Sequence, residues 1–425
     1  MARISKDLAK ERLIANIITS PTPTESNNIS SIKKKVRSVS SITPTPPTPD
    51  QIEYIQSFGS DEETLFEFKR NNERIITPAD DELPSILGKY EESSENELPP
   101  ALENWLQDYD QEINWYQYTG KDLNLDVGGA VSSLDDMATI GALVNCKWNQ
   151  KAPYNLDTVF NGNTCVTGCG ATAIAQILYY WGCQPHNKKY YRRGCTATQS
   201  YTSKTNKYKI AALPSIPIFD YNNMCAGKPS TDKQKKSIAE MMLYCGCAVK
   251  SDYAQGVTTS YLQDLQKGLR DCLRMGNPTI IQASKGATAF ERSILAELKE
   301  GRPVLLIGSG SQGGHFFLCD GYNPKENLYH FNWGWGGSYD GWFAMSALNP
   351  SHYTFNANKK AIINIQPQYV WGDVNGDGSL SVSDIMSIQS QILGSSKKTE
   401  QADLNNDGDV NVTDLMLGVN KILGK

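Results

Sequence analysis

The segment TGCGATAIAQILYYW, residues 167–181, reads as one clear amphipathic helix. Ile174, Ile177, Leu178 and Trp181 fall on one apolar stripe at helical spacing, so Cys169 sits at or just before the first turn. Unpaired backbone N–H groups and the helix dipole at that point favour a thiolate over a thiol, and the same N–H groups can receive an oxyanion. Gly168 and Gly170 leave the backbone bare on either side, where a substrate chain has to come close. A buried, inert cysteine is the competing explanation for this segment taken alone. Cys165, four residues earlier, is a rival nucleophile or a disulfide partner, but only Cys169 adjoins the helix.

A thiol nucleophile needs a base, and the chain has four histidines. His186 follows a Cys-Gln-Pro turn and His352 sits in a Ser-His-Tyr loop, both ordinary surface settings, while His330 lies inside the strand LYHFNW. His315 follows Gly313-Gly314 and opens the apolar strand HFFLCDGY, so it stands on a rigid element reached through a glycine hinge. The turn NPKEN and the return strand HFNWGWGG then bring Asn332 back towards His315. An Asn carbonyl accepting from the imidazole would fix its tautomer, with Trp333 and Trp335 shielding that bond from water. The order Cys, His, Asn, with about 146 residues between the first two, is that of papain-type enzymes.

A chain of 425 residues is too long for one ordinary core. A formal net charge of -5 offers no basic footprint for nucleic acid, and no apolar run is long enough to cross a bilayer. Ten cysteines, all between Cys146 and Cys319, suit an oxidising compartment and a secreted or cell-surface protein. The extreme N-terminus carries Lys6, Lys10, Glu11 and Arg12 where a signal peptide needs an apolar stretch, so a truncated or misassigned start is the expectation. Composition and pattern divide the chain into four parts. Residues 1–58 are an N-terminal segment with a disordered Pro/Ser/Thr-rich linker, and 59–134 are a small domain with strands at LFEF and ERIITPADD. A helix there carries Leu102, Trp105, Leu106, Tyr109 and Ile113. Residues 135–367 hold the cysteines and histidines in an α+β pattern, and 368–425 contain an internal repeat.

The repeat has a period of thirty residues, and each copy reads as a calcium loop followed by one helix, at Ile385–Leu393 and Leu415–Leu423. Asp373, Asn375 and Asp377 hold loop positions 1, 3 and 5, Gly378 turns at 6, Ser379 lends its carbonyl at 7 and Asp384 closes at 12. Asp403, Asn405, Asp407, Gly408, Asp409 and Asp414 repeat the set. Oxygen ligands at alternating positions suit a hard cation, so two Ca2+ ions are expected here, and no cofactor is expected for catalysis. Asx-rich turns that merely cap helices are the plainer alternative.

TGCGATAIAQ, GGHFFLCDGY and FNWGWGGSYDGWFAMSALNP together resemble the streptopain family of bacterial cysteine peptidases, and the likeness extends to KWNQKAPYN and KSIAEMMLYCGCAVKSDY. The resemblance implies a papain-like α+β catalytic domain cleaving proteins by acyl transfer. Cys169 is then the nucleophile, His315 the general acid–base, Asn332 the orienting group, and Trp333 or Trp335 the shield. ADDELPSILGKY and LPPALENWLQDYDQEI are similar to the family's inhibitory propeptide, which implies a zymogen cleaved between about 116 and 138. Residues 151–168 hold no glutamine for an oxyanion hole, so that expectation falls on Gln282 in NPTIIQASKG. The repeat resembles a type I dockerin, an all-α module that implies calcium-dependent docking to a cohesin-like partner, with Val382, Ser383, Val412 and Thr413 at the interface. Two readings compete: a catalytically inactive papain-fold binding or scaffold protein, and a thiol amidase of narrow specificity. Cys183, His186 and Cys195 also invite a zinc reading, behind a Cys183–Cys195 disulfide or free thiols.

Overall fold

The computed structural model describes residues 3–19, 51–120, 137–184, 191–310, 313–347 and 359–425, apart from 61, 96, 286, 369–370, 376–378, 397 and 406. The expected linker at 20–50, most of the expected maturation region, His186, His352, Asp377 and Gly378 lie outside the described residues. Two compact units emerge, and their borders depart from the limits expected from sequence. One comprises 1–92, 106–134 and 341–350; the other comprises 93–105, 135–340 and 351–425.

In the first unit, the N-terminal segment is not a tail. Helix α1 (Lys6–Thr19) presents Ala9 and Leu13, with Ile4 just before it, to a core shared with Ile52, Phe66, Phe68 and Ile75. Strands β1 (Ile52–Phe58), β2 (Leu65–Arg70), β3 (Glu73–Pro78) and β4 (Gly88–Glu91) pair antiparallel in sequence order. The β2–β3 turn takes Asn71 into the left-handed region at φ 55°, which asparagine tolerates better than most residues. A strand from far downstream, β13 (Gly341–Phe343), pairs with β4 through Gly341 opposite Tyr90. Helix α2 (Pro100–Trp115) secures the residues after it: Tyr109 Oη donates to Ala344 O at 2.5 Å. Glu112 accepts from Ser346 Oγ at 2.7 Å and Ala347 N at 2.6 Å. These buried polar bonds explain why 341–347 leaves the region expected to be purely catalytic.

The second unit packs helices against an antiparallel sheet. Two short hairpins, β5 (Val159–Phe160) with β6 (Asn163–Thr164) and β7 (Tyr201–Thr202) with β8 (Lys209–Ile210), precede the main elements. The helices are α3 (Cys169–Cys183), α4 (Asp232–Ala248), α5 (Leu262–Asp271) and α6 (Ala287–Lys299). The strands are β9 (Thr279–Gln282), β10 (Val304–Gly310), β11 (Gly313–Asn323), β12 (Leu328–Asn332) and β14 (Lys360–Ile363). They lie in the order β12-β11-β10-β14-β9. Every residue of α3 from Gly170 to Gly182 is buried. Its Ile174, Ile177 and Leu178 share a core with Ile238, Met241 and Met242 of α4 and with Phe316 and Leu318 of β11. The C-terminal repeat forms helices α7 (Val382–Ile392) and α8 (Val412–Ile422) around Ile388, Ala402, Leu404 and Val410. Each starts three residues earlier than expected because Ser381 and Asn411 close capping boxes with Asp384 and Asp414.

The β11–β12 register slips between Cys319 and Gly321, and the intervening Asp320 is fully buried. Its carboxylate accepts from Val144 N at 2.7 Å and meets His330 Nδ1 at 2.6 Å, pinning residues 143–144 to the sheet. Burial opposes the charged imidazolium, but Asp320 overrides it and raises the His330 pKa above the ordinary 6.5. A raised histidine pKa stabilises the fold fully below pH 6.5, and that stability is lost as pH climbs through the raised value. His330→Gln is therefore expected to lower stability by about 1–3 kcal/mol below pH 6, and by less at pH 9, in denaturant titrations at both pH values. An equal deficit at both pH values would contradict the ion pair.

Candidate active site

Helix α3 begins with a backbone that only glycine can supply. Gly168, its N-cap, has φ +87°, and a Cβ there would lie 2.9 Å from both Thr258 Cγ2 and Thr258 O. A Cβ on Gly170 would lie 3.1 Å from Ser260 Cβ. The two glycines thus admit the 258–260 segment, rather than leaving room for a substrate chain as the sequence suggested. Cys169, the first helical residue, receives Phe316 N–H on its Sγ at 3.4 Å. Burial pushes the Cys169 thiol above its ordinary pKa, and the N–H groups of Phe316 and Gly170 offset that only in part. The thiolate preference expected of a helix start is outweighed by desolvation in this form of the chain.

His315 precedes Phe316 on β11, paired in register with Gly308 of β10. It is half-buried, and burial holds its pKa below the ordinary value, with Glu103 opposing. Cys169 and His315 open on one cavity of about 410 Å³, together with Trp333, Trp335 and Gln150. Pro99, Pro100 and Ala101 line the same cavity. Trp333 is 2% exposed, packs at a tilt against Phe317 with ring centres 4.6 Å apart, and donates its indole N–H to Tyr339 O at 2.9 Å. Trp335 is half-buried.

Two expected residues take other positions. Asn332 does not hydrogen-bond His315 among the described residues. Its Oδ1 accepts from Gln176 Nε2 at 3.2 Å and Gly334 N at 3.0 Å, and its Nδ2 donates to Cys146 O at 3.0 Å. The register explains this, because Asn332 lies opposite Leu318, three residues beyond His315. Gln282 ends β9, the far edge strand, three strands from β11, and does not line the cavity. At roughly 4.8 Å per strand it is about 14 Å from His315's strand, too far for an oxyanion donor. Gln150, one residue before the 151–168 stretch, lines the cavity instead; Thr167 N donates to its carbonyl at 3.0 Å, holding it beside the start of α3.

The remaining cysteines are accounted for differently from expectation. Cys165 is buried with Tyr208, Cys247 and Tyr253, outside the cavity, and burial raises its pKa. All ten cysteines are free thiols. Cys183 Sγ lies 3.7 Å from Tyr221 O, and Cys195 meets Cys272 instead of Cys183. Among the described residues no three His, Cys, Asp or Glu side chains gather as a metal cage.

In the C-terminal repeat the donor set is all oxygen, which fits calcium in kind. In the second loop Asp403 accepts from Asp407 N at 3.2 Å and Gly408 N at 2.8 Å, and Asp407 accepts from Asp409 N at 2.9 Å. Fully buried Asp414 accepts from Leu404 N at 2.7 Å and Asn405 N at 3.3 Å, drawing the loop around its oxygens. Asp384 does the same in the first loop, with Val374 N at 2.8 Å and Asn375 N at 3.0 Å. Asp373 of that loop also lies 4.0 Å from the Arg193 guanidinium, a cation already beside the first ligand position. Ser379 follows residues 376–378, which lie outside the described residues. Val382 (65% exposed) and Val412 (63% exposed), with Ser383 and Thr413, stand at equivalent helix starts.

Residues 148–343 match the peptidase C10 family, and residues 371–423 match the dockerin type I domain. Streptopain of Streptococcus pyogenes serotype M1 is 30% identical over 327 residues, covering 69% of this chain and 78% of streptopain. A thiol protease/hemagglutinin of Porphyromonas gingivalis is 25% identical over 346 residues, covering 75% of this chain and 39% of that protein. A solved prointerpain A fragment of Prevotella intermedia is similar in fold, with TM-score 0.63 and 25% identity, covering 75% of this chain and 99% of the fragment.

Because Asn332 ties buried groups together, Asn332→Ala is expected to destabilise the protein by about 1–3 kcal/mol. The pH midpoint of any residual activity should stay where it is in the parent protein. A shift of that midpoint without loss of stability would restore Asn332 as a direct partner of His315.

Proposed function

The chain belongs to the peptidase C10 family and carries a dockerin type I domain, and we propose that it is the secreted zymogen of a cysteine endopeptidase. The observation that carries this reading is the shared cavity of Cys169 and His315, with Phe316 N–H on the sulfur. In the proposed reaction His315 takes the Cys169 proton, and the thiolate attacks the scissile carbonyl. The backbone N–H groups at the start of α3 and the Gln150 side-chain amide receive the oxyanion. The imidazolium then protonates the departing amine, and His315 activates water to release the acyl group. Trp333 and Trp335, expected to shield a His315–Asn332 bond that the partners of Asn332 replace, line one wall of the cavity instead. Asn332 acts as a positioning residue, through Gln176 on α3 and Cys146 O.

Latency has a physical basis in the same reading. Pro99, Pro100 and Ala101 occupy the cavity wall, and burial keeps both the thiol and the imidazole uncharged. Removal of the region up to about 116–138 would open the cavity to solvent and to substrate. The domain scheme follows from this: 59–134 as propeptide, extended at its N-terminus by α1, then 135–367 as peptidase and 368–425 as dockerin. Two Ca2+ ions would be held by Asp373, Asn375, Asp377, Ser379 and Asp384, and by Asp403, Asn405, Asp407, Asp409 and Asp414. When bound, calcium would supply positive charge to offset the repulsion among the carboxylates of each loop. The exposed pairs Val382–Ser383 and Val412–Thr413 would face a cohesin-type partner, holding the enzyme outside the cell or at its surface.

Cys169→Ala is expected to abolish casein cleavage and self-maturation, and Gln150→Ala to reduce kcat about 10²- to 10³-fold with KM little changed. Wild-type rates in either variant would remove that residue from the mechanism. Chelation is expected to unfold 371–423, read by proteolytic nicking or circular dichroism, while the mature peptidase keeps its activity. Loss of activity from the isolated peptidase on chelation would contradict that separation.

A further inference from the structure

Cys195 and Cys272 are brought together by elements far apart in sequence. Cys195 exchanges backbone hydrogen bonds with Ile216, both at 2.8 Å, which fixes its strand-like backbone. The next residue, Thr196, donates its N–H to Cys272 O at 2.9 Å and its hydroxyl to Asp271 O at 3.2 Å. Cys272 itself closes the last turn of α5 through Gly268 O at 3.1 Å. Backbones so joined set the two cysteines side by side, close enough for each thiol to act on the other. Cys195 is fully buried, whereas Cys272 is half-buried and reaches the surface.

We propose that Cys195 and Cys272 form a redox-active dithiol that closes to a disulfide by exchange with an external disulfide. Cys272 is the attacking thiol and Cys195 the resolving one. The hydrogen bond from Cys195 brings the Cys272 pKa down to about 6, against the opposing effect of burial, with Thr196 and Lys250 helping and Asp271 opposing. The same contact and burial hold Cys195 protonated. Cys272 thiolate displaces one thiolate from the external disulfide, giving a mixed disulfide. Cys195 then loses its proton and displaces the second thiolate from Cys272. Two protein thiols are oxidised and one external disulfide is reduced to two thiols.

The closed bond would staple the C-terminal end of α5, whose approach segment forms a wall of the catalytic cavity through Val257, Thr258 and Tyr261. It would thereby restrain that wall from behind, without touching Cys169. An oxidising environment outside the cell would favour the closed form.

The test uses the full chain with Cys169→Ala, so that neither self-cleavage nor the catalytic thiol interferes. The protein is equilibrated with oxidised glutathione, free thiols are alkylated, and a digest made without reductant is mapped by mass spectrometry. The expected result is a Cys195–Cys272 linked peptide, with the melting temperature raised by several degrees because a long loop is closed. Adding Cys195→Ser should trap glutathione on Cys272, whereas adding Cys272→Ser should leave Cys195 unmodified. Both thiols remaining alkylatable, or Cys195 linked to another cysteine, would overturn the proposal. Glutathione collecting on Cys195 would overturn the assignment of roles. Should a serine variant fail to fold, the linkage map of the parent chain decides the matter alone.

Discussion

A thiol on a helix and an imidazole on a sheet can share a cavity only if helix and sheet are locked together. Here much of that lock is a side-chain amide in the core. Asn332 joins Gln176 of α3, Gly334 N and Cys146 O in one buried set of hydrogen bonds. Each of these groups would lose stabilisation if buried unpaired, so the arrangement resists sliding as well as separation. Phe316 N–H on Cys169 Sγ makes the same link closer to the chemistry. Asp320 performs a similar service from the other side of β11, gathering Val144 N and His330 at a bulge.

The chemistry depends as much on desolvation as on proximity. A helix start by itself favours thiolate, yet burial of Cys169 raises its pKa, and burial of His315 lowers its own. Both effects disfavour a charged pair, which suits a chain whose residues 99–101 still line the cavity. Elsewhere in the same unit the balance is reversed: the neighbouring Cys195 thiol, with Thr196, holds the Cys272 pKa low against burial. Two thiols at helix ends are therefore shifted in opposite directions by what surrounds them.

The C-terminal module uses one residue for two purposes. Asp384 and Asp414 each close a capping box and also draw the loop backbone inward, so helix start and loop closure are coupled. The repeated Val-Ser and Val-Thr pairs emerge at the same helical position in both halves. Ser383 is also tied to the first loop, its Oγ accepting from Asn375 Nδ2 at 2.7 Å.

The local chemistry was legible in the sequence wherever one segment contained its own cause. The spacing of Ile174, Ile177, Leu178 and Trp181 marked the helix α3, although it is buried all round rather than along one stripe; the Gly-flanked Cys169 marked its start, and the thirty-residue repeat marked two loops and two helices. What depended on pairing between distant segments was not legible. Asn332 was expected beside His315 because a hairpin returns there, but strand register placed it opposite Leu318. Gln282 had the right chemistry and the wrong strand, while Gln150 lies just outside the 151–168 stretch and is brought to the start of α3 by the Thr167 N–H on its carbonyl. The N-terminal segment gave no sign of a packed helix because its charges conceal Ile4, Ala9 and Leu13, which become a core only against β1–β3. Cys195 found Cys272 instead of Cys183 for the same reason. Periodicity and turn chemistry act over a few residues and are written in the chain; register, burial and the partners of buried polar groups are decided only when the whole unit closes.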